Sequence, residues 1–294
     1  MKKETKRLIT QAGATAGQNA YVAGFFSGTV FGGGSKAVCV PGLNCYSCPG
    51  AIGSCPVGAL QTVLSGWRYH YSMYVLGLLL LFGVTMGRWI CGWICPFGML
   101  QDLLYRIPGK KLHLSRKVSW LRLAKYAVLI VLVILLPLVA VDSLGGGRYQ
   151  GDPWFCKYLC PAGTVQGALP LVTVNTSLQD AAGWLFAWKV FIAAAILALC
   201  VFLYRFFCRF LCPLGAIYGL LNRLSLYRLH VAKSACTNCG KCKKVCKMDV
   251  DPVKTPNSAE CIRCGCCVSA CPSKALEFGF SLRDKKEKKL KVDS

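Results

Sequence analysis

Eight cysteines near the C-terminus constrain the fold of this chain more than any other feature. They form two continuous runs with the same spacing, Cys-x2-Cys-x2-Cys-x3-Cys, and a proline follows the second run. In this spacing, three cysteines of a run bind one [4Fe–4S] cluster and the fourth binds the other cluster. The predicted ligands are Cys236, Cys239, Cys242 and Cys271 for the first cluster, and Cys246, Cys261, Cys264 and Cys267 for the second.

Zinc is the alternative for these eight thiols. Four-cysteine zinc sites are usually built from two separated Cys-x2-Cys pairs, which two continuous runs match poorly. The first run departs from the usual pattern, because Lys247 stands where proline often follows the fourth cysteine, and Cys266 is an additional cysteine without a predicted role. Residues 229–282 are therefore predicted to form a C-terminal α+β ferredoxin-like domain with two [4Fe–4S] clusters.

The chain as a whole is too apolar for a soluble protein. Hydrophobic residues make up 54% and charged residues 16% of the 294 residues, whereas a soluble domain carries about 25% charged residues. Three apolar stretches of roughly membrane-spanning length cover 69–86, 123–141 and 185–204, and a weaker stretch rich in Gly and Ala covers 14–30. Residues 1–228 are therefore predicted to be an α-helical membrane domain with about four transmembrane helices.

Lys and Arg residues in the short loops predict the orientation of these helices. The net charge is +23, and eight basic residues lie in 88–125, whereas 36–69 and 142–184 carry two each. With four spans, the N-terminus, the 88–125 loop and the ferredoxin-like domain face the cytoplasm, and the protein lies in the cytoplasmic (inner) membrane. With three spans, 36–69 shares one side with the N-terminus. The basic tail, 283–294, is predicted to be disordered.

A second motif, Cys-Pro-x-Gly, occurs four times in the membrane domain. In three copies, a second cysteine lies four residues before the motif cysteine. In the fourth copy, Ala51 occupies that position, and the nearest upstream cysteine is Cys48. Proline is favoured in the first turn of a helix, so each motif predicts a helix start. A helix N-terminus also stabilises the negative charge of a thiolate-ligated cluster. Two such turns facing each other would supply the four thiolates of a [4Fe–4S] cluster.

The predicted orientation assigns these cysteines to two further clusters. The inner cluster is predicted to bind Cys91, Cys95, Cys208 and Cys212, and the outer cluster Cys48, Cys55, Cys156 and Cys160, with Cys39 and Cys45 as alternates. Disulfides or inert thiols are the alternative for both sets, and a reactive dithiol is a third interpretation of the outer set. Because the bilayer core is about 30 Å thick, direct electron transfer requires both sites to be set inward from its surfaces. Otherwise a quinone must bridge them.

Residues 91–98 and 208–215, together with the two ferredoxin runs, resemble the NapH/NosR-like polyferredoxin membrane proteins. The resemblance covers about residues 39–271. It implies a cytoplasmic-membrane protein that moves electrons, often from quinol or a low-potential donor to an extracytoplasmic acceptor. The chain departs from the simplest NapH pattern in Cys156, Cys160 and the cysteines of 39–55, and it has no flavin-binding domain of the NosR kind.

These features together predict a membrane-bound electron-transfer subunit without a conventional catalytic site. It would relay electrons between the ferredoxin-like domain or quinol and an extracytoplasmic acceptor, with redox partner proteins on one or both sides and quinone as a further candidate cofactor. A quinol dehydrogenase enzyme, an outward thiol–disulfide reductase and a membrane-anchored redox sensor or assembly factor remain alternatives. The basic residues flank apolar stretches and no nucleic-acid-binding motif accompanies them, so nucleic acid is not a predicted partner.

Overall fold

The computed structural model describes residues 2–65, 73–112, 116–143 and 152–280. The predicted basic tail, 283–294, and the first residues of the predicted span 69–86 lie outside these ranges. Within them the chain is mainly helical, with one two-stranded sheet near the C-terminus.

Most helices are short, because prolines, glycines and cysteine turns interrupt them. The α-helices are α1 (Lys2–Gln18), α2 (Ala23–Ser27), α3 (Pro56–Ser65), α4 (Tyr74–Met86), α5 (Trp89–Trp93), α6 (Pro96–Leu104), α7 (Ala124–Val128), α8 (Leu136–Ser143), α9 (Leu169–Val174), α10 (Thr176–Asp180), α11 (Trp184–Phe202), α12 (Phe206–Phe210), α13 (Pro213–Leu221), α14 (Lys241–Lys244) and α15 (Cys266–Ala270). Tighter 3-10 turns lie at Gly34–Ala37, Arg116–Leu123 and Lys233–Ala235, wider π-helical turns lie at Leu129–Leu135, Phe155–Leu159 and Gly163–Ala168, and the strands are β1 (Tyr227–Val231) and β2 (Leu276–Phe280).

Two helical segments of the described chain are long and apolar enough to cross a bilayer. They are Trp120–Val139, which joins α7 and α8 through the π-helical turn, and Trp184–Phe202, with mean hydropathies of 2.3 and 2.4. Only 22% and 17% of these segments are buried in the protein, whereas the core helix of a soluble protein is mostly buried. Their apolar surfaces are largely exposed, as membrane-spanning helices require, and both segments match predicted spans.

The predicted span over 14–30 is wrong. Helix α1 ends at Gln18, and only the five-residue α2 follows before residue 30. Helix α1 also packs against protein, because its buried Arg7 and Gln11 both bond the carboxylate of Asp102. The span predicted over 69–86 is described only as α4, whose 13 residues are fewer than the roughly 20 needed to cross a bilayer.

Two similar helix–turn–helix units form the centre of the membrane domain. Units α5–α6 and α12–α13 each consist of a short helix, a turn at the second cysteine of a motif, and a helix that begins at the following proline. Cys95 and Cys212 occupy the turns with nearly the same extended backbone, at ψ 120° and 114°. Phe97 and Phe207 pack edge to face between the units, with ring centroids 5.2 Å apart.

The C-terminal domain repeats one loop structure twice. Left-handed backbone at Asn238, Gly240 and Asp249 recurs 25 positions later at Arg263, Gly265 and Lys274. Strands β1 and β2 pair antiparallel, with Tyr227 opposite Phe280, and so bring the two ends of this domain together.

The C-terminal domain contacts the membrane domain at the α5–α6 unit. Gly92 faces the backbone of Ile262 so closely that an added Cβ would lie 2.4 Å from the Ile262 carbonyl oxygen. The indole N–H of Trp93 donates to the Arg263 carbonyl at 3.1 Å, and the Arg263 guanidinium donates to the Met86 carbonyl at 2.7 Å. The interface therefore depends on close approach of two backbones.

Replacing Gly92 with alanine is expected to separate these backbones. Overpacking at a close contact costs about 1–3 kcal/mol, so Gly92→Ala should lower the unfolding temperature and speed amide exchange around residues 260–264. Gly109→Ala is the matched control, because a Cβ at Gly109 meets no atom within 4 Å. Equal exchange in the two variants would contradict the proposed close contact.

Candidate metal centres

The eight cysteines of the C-terminal domain line two cavities in the crossed pattern that their spacing predicts. Cys236, Cys239, Cys242 and Cys271 line a cavity of about 320 Å³. Cys246, Cys261, Cys264 and Cys267 line a narrower cavity of about 20 Å³, which Cys266 also touches. In the part of the chain that is described, no three His, Cys, Asp or Glu side chains converge on a single ion. The thiols of the larger cavity surround a space that suits a multi-iron cluster.

Four thiols of the α5–α6 and α12–α13 units lie together in the protein interior. Cys91, Cys95, Cys208 and Cys212 are all buried, and each is at most 4% exposed. Backbone N–H groups of Leu43 and Gly215 donate to the Sγ atoms of Cys95 and Cys212, at 3.4 and 3.3 Å. We call these four residues the central set.

Two buried arginines connect the units of the central set reciprocally. Arg88 precedes Cys91 by three residues and donates to the carbonyl of Cys208 at 2.9 Å. Arg205 precedes Cys208 by three residues and donates to the carbonyl of Cys91 at 2.5 Å. Each motif therefore supplies a cation that binds the backbone of the other motif.

Carboxylates compensate both buried guanidinium groups. Arg205 pairs with Asp102 of α6 at 2.6 Å, and Arg88 pairs with Glu260 of the C-terminal domain at 2.9 Å. Burial alone would raise the pKa of Glu260, but Arg88 and Lys125 together hold that pKa below its usual value. Burial would likewise raise the pKa of Asp102, but Arg205 and Arg7, with a hydrogen bond from Tyr204, together hold that pKa below its usual value.

Burial keeps most thiols of the central set protonated in the absence of metal. It raises the pKa of Cys91 to about 11. A hydrogen bond with Cys212 lowers the pKa of Cys208 and raises that of Cys212, so one thiolate is favoured at the expense of its neighbour. Four adjacent thiolates therefore need additional positive charge, which iron would supply beyond that of the arginines.

A second buried set in the membrane domain contains Cys45. Cys55, Cys156 and Cys160 lie together, and the Cys45 thiol lies near enough to raise the pKa of each beyond the effect of burial. A Cβ added at Gly163 would lie 3.8 Å from the Sγ of Cys45, and one at Gly58 would lie 3.8 Å from the Sγ of Cys156. We call Cys45, Cys55, Cys156 and Cys160 the distal set.

Cys48 lies to one side of the distal set. Its thiol donates to the amide oxygen of Asn19 at 3.4 Å. Cys39 forms a parallel bridge with Ser54, and its backbone N–H donates to the Tyr74 hydroxyl. The structure therefore brings one of the predicted alternates, Cys45, to the other three thiols.

A glutamine six residues after a motif cysteine is a feature that the sequence analysis missed. Gln101 follows Cys95 and donates to the Sγ of Cys208 at 3.0 Å, and Gln61 follows Cys55 and donates to the Sγ of Cys156 at 3.2 Å. A third, Gln166, follows Cys160 and accepts the backbone N–H of Cys45. The sequence signal is Cys-Pro-x-Gly-x2-Gln, which three of the four motif copies contain.

The central and distal sets lie close to each other. The N–H of Leu43 bonds the Sγ of Cys95, and Cys45 follows only two residues later. Chain reach limits the distance between the Sγ atoms of Cys95 and Cys45 to about 15 Å. Both sites cannot then lie at opposite faces of a bilayer core about 30 Å thick.

The motif region matches a family described as a 4Fe-4S binding domain, over residues 69–115, 150–170 and 184–231. The putative electron transport protein YccM of Escherichia coli is 25% identical over 222 residues, which are 72% of this chain and 56% of YccM. The methylamine utilization ferredoxin-type protein MauN of Methylorubrum extorquens is 30% identical over 65% of this chain and 59% of MauN. The ferredoxin-type protein NapH of Haemophilus influenzae is 25% identical over 68% of this chain and 65% of NapH.

The chain is similar to the NapH/NosR-like polyferredoxin proteins. Members named for electron transport and ferredoxin function support an iron–sulfur electron-transfer role for this polyferredoxin. The matched region includes three of the four membrane motifs; it begins after Cys55 and ends before the eight cysteines of the C-terminal domain. No solved structure matches the chain.

Removing the Glu260 carboxylate from this polyferredoxin is expected to destabilise it in a pH-dependent way. Glu260→Gln leaves the charges of Arg88 and Lys125 uncompensated, and breaking a buried pair costs about 3–5 kcal/mol. Because the folded pKa of Glu260 is depressed, the carboxylate stabilises the fold above its unfolded pKa of about 4.3 and loses this effect as pH falls through the folded pKa.

The measurement is thermal unfolding of both proteins between about pH 3 and pH 7. The difference in unfolding temperature should be largest above about pH 5 and should shrink below about pH 4. Glu277→Gln, on the exposed side of β2, is the control and should behave as the wild type does. A Glu260→Gln difference that stays constant with pH would refute the carboxylate's role.

Proposed function

We propose that this polyferredoxin carries electrons one at a time through four [4Fe–4S] clusters in series. The observation that carries the proposal is the succession of four cysteine sets along one path. The cavity of Cys236, Cys239, Cys242 and Cys271 is followed by that of Cys246, Cys261, Cys264 and Cys267, then by the central set and the distal set.

Contacts between neighbouring sets support direct transfer. Ile262, between two cysteines of the second set, contacts Gly92, between two cysteines of the central set. Leu43 and Cys45 connect the central and distal sets within about 15 Å. The buried Tyr218 lies near cysteines of both sets, because Cys91, Cys95 and Cys55 all raise its pKa after the larger effect of burial. No quinone is needed between these two sets.

The clusters supply the redox chemistry when bound, and the protein residues hold and shield the thiolates. Arg88 and Arg205 fix the two motifs of the central set and add positive charge beside it. Gln101 and Gln61 donate hydrogen bonds to cysteine sulfurs. Such hydrogen bonds, together with burial and net charge, set the reduction potential of an iron–sulfur cluster.

The proposed location is the cytoplasmic membrane, with the C-terminal domain in the cytoplasm. This sidedness rests on the basic residues of 88–125 and of the region after Phe202. The partners are redox proteins on one or both sides of the membrane, and quinol is a candidate donor to the chain.

Substitution of Cys45 is the sharpest test of the four-cluster proposal. Four clusters contain about sixteen irons per chain after anaerobic purification in detergent, at four irons per cluster. Cys45→Ser should reduce this to about twelve and remove one electron paramagnetic resonance signal. Cys48→Ser is the matched control, because Cys48 bonds Asn19 instead, and should keep all four clusters. About eight irons in the wild type would leave only the C-terminal clusters and overturn the proposal.

Loss of a hydrogen bond to cysteine sulfur is expected to lower the potential of the central cluster. Gln101→Leu removes the donor to Cys208, and a hydrogen bond worth about 0.5–1.5 kcal/mol corresponds to roughly 20–60 mV for one electron. A redox titration followed by electron paramagnetic resonance measures the shift. Gln179→Leu, in an exposed helix, is the control. An unchanged potential with full iron content would exclude a tuning role for Gln101.

A further inference from the structure

One end of the C-terminal domain points away from the membrane domain. Cys246 and Cys264 pack in a cluster with Tyr105 and Tyr204 of the membrane domain. Among the described residues, the apolar partners of Cys242 and Cys271 all come from residues 229–278 of the C-terminal domain itself. Cys239 is exposed, so the first cavity is the end of the path that is open to solvent.

Exposed lysines surround this end. Lys241, Lys243 and Lys244 form most of α14, directly after Cys239, and all three are exposed. Lys233, Lys254 and Lys274 are also exposed, and Lys243 and Lys254 line the cavity itself. We call these six residues the lysine surface.

Two acidic residues between the cysteine runs, Asp249 and Asp251, are engaged in other interactions. Asp251 accepts the backbone N–H groups of Val253 and Lys254, at 3.2 Å each. Asp249 pairs with Arg209 of α12 at 2.8 Å, on the side of the membrane domain. The lysine surface therefore presents a field of positive charge around the exposed cysteine.

We propose that the lysine surface docks an acidic, soluble electron-carrier protein. The inference rests on the four-cluster function and names the partner at its solvent end. Anionic lipid is the less suitable occupant, because the opposite cavity, not this one, contacts the membrane domain. Opposite charges would steer the carrier to the only cavity with an exposed cysteine in the described domain. One electron passes from the reduced carrier to the oxidised first cluster, and no bond or proton is transferred.

The test compares two triple variants of the purified holoprotein in detergent. Lys241→Glu, Lys243→Glu and Lys244→Glu together reverse the lysine surface. Lys6→Glu, Arg106→Glu and Lys110→Glu together change the net charge equally at exposed positions of the membrane domain. The probes are a reduced acidic flavodoxin and reduced methyl viologen, a small cation that needs no docking surface. Stopped-flow absorbance follows cluster reduction.

The lysine-surface variant should accept electrons from flavodoxin at least about tenfold more slowly at low ionic strength, with a weaker salt dependence. The control variant should match the wild type with flavodoxin. Equal rates in all three proteins, or an equal loss in both variants, would overturn the proposal. Flotation with phosphatidylglycerol vesicles measures lipid binding. If weaker flotation is the only defect of the lysine-surface variant, lipid is the occupant and the proposal is also overturned.

Failure of the four-cluster function has a different signature. It would appear as a low iron count in the wild type, whichever donor is used. Both variants should match the wild type in iron count and in the rate of reduction by methyl viologen. A slower reduction by flavodoxin alone would then be a defect in docking. A lysine-surface variant that also loses iron or methyl viologen reduction would refute docking as the role of these lysines.

Discussion

The reciprocal bonds of Arg88 and Arg205 are the interaction on which the rest of the molecule depends. A guanidinium group without solvent is costly unless its charge is paired and its donors are bonded. Here the two compensating carboxylates come from different parts of the chain, Asp102 of α6 and Glu260 of the C-terminal domain. Asp102 also holds Arg7 of α1. Assembly of the central set therefore requires that the N-terminal helix, both motif units and the C-terminal domain are all in place.

The same charges connect the fold to the metal. Burial by itself favours neutral thiols, as the pKa of about 11 for Cys91 indicates. The arginines and the helix N-termini at Cys95 and Cys212 lower the cost of negative charge. They cannot neutralise four thiolates, so iron would complete the electrostatic balance. A chain without clusters should then have a poorly compensated centre, because Arg88 and Arg205 are placed for thiolates as well as for carboxylates.

The sequence predicted those features that depend on local spacing or on long apolar segments. The eight C-terminal cysteines line two cavities in the order that their runs predict, and 123–141 and 185–204 correspond to the two long, apolar helical segments. The span over 14–30 failed because an apolar composition does not ensure a continuous helix: α1 ends at Gln18, and only the short α2 follows. Cys45 was only an alternate because the motif rule looks four residues upstream, whereas Cys45 precedes Cys55 by ten residues. The glutamines of the extended motif were visible, but their partners belong to other motif copies.

The two membrane sets share a design but differ in charge. Both combine two motif turns with a glutamine that donates to the first cysteine of the partner motif. The central set adds two fully buried arginines. In the distal set, Lys36 and Lys189 act electrostatically on Cys45, and Lys189 also acts on Cys156. Neither lysine donates a hydrogen bond to these sulfurs in the described structure. Positive charge beside a cluster favours its reduced form. The arginines that hold the motifs together would therefore also make the central set the easier of the two to reduce, so that one pair of side chains determines both the assembly and the electrical profile of the path.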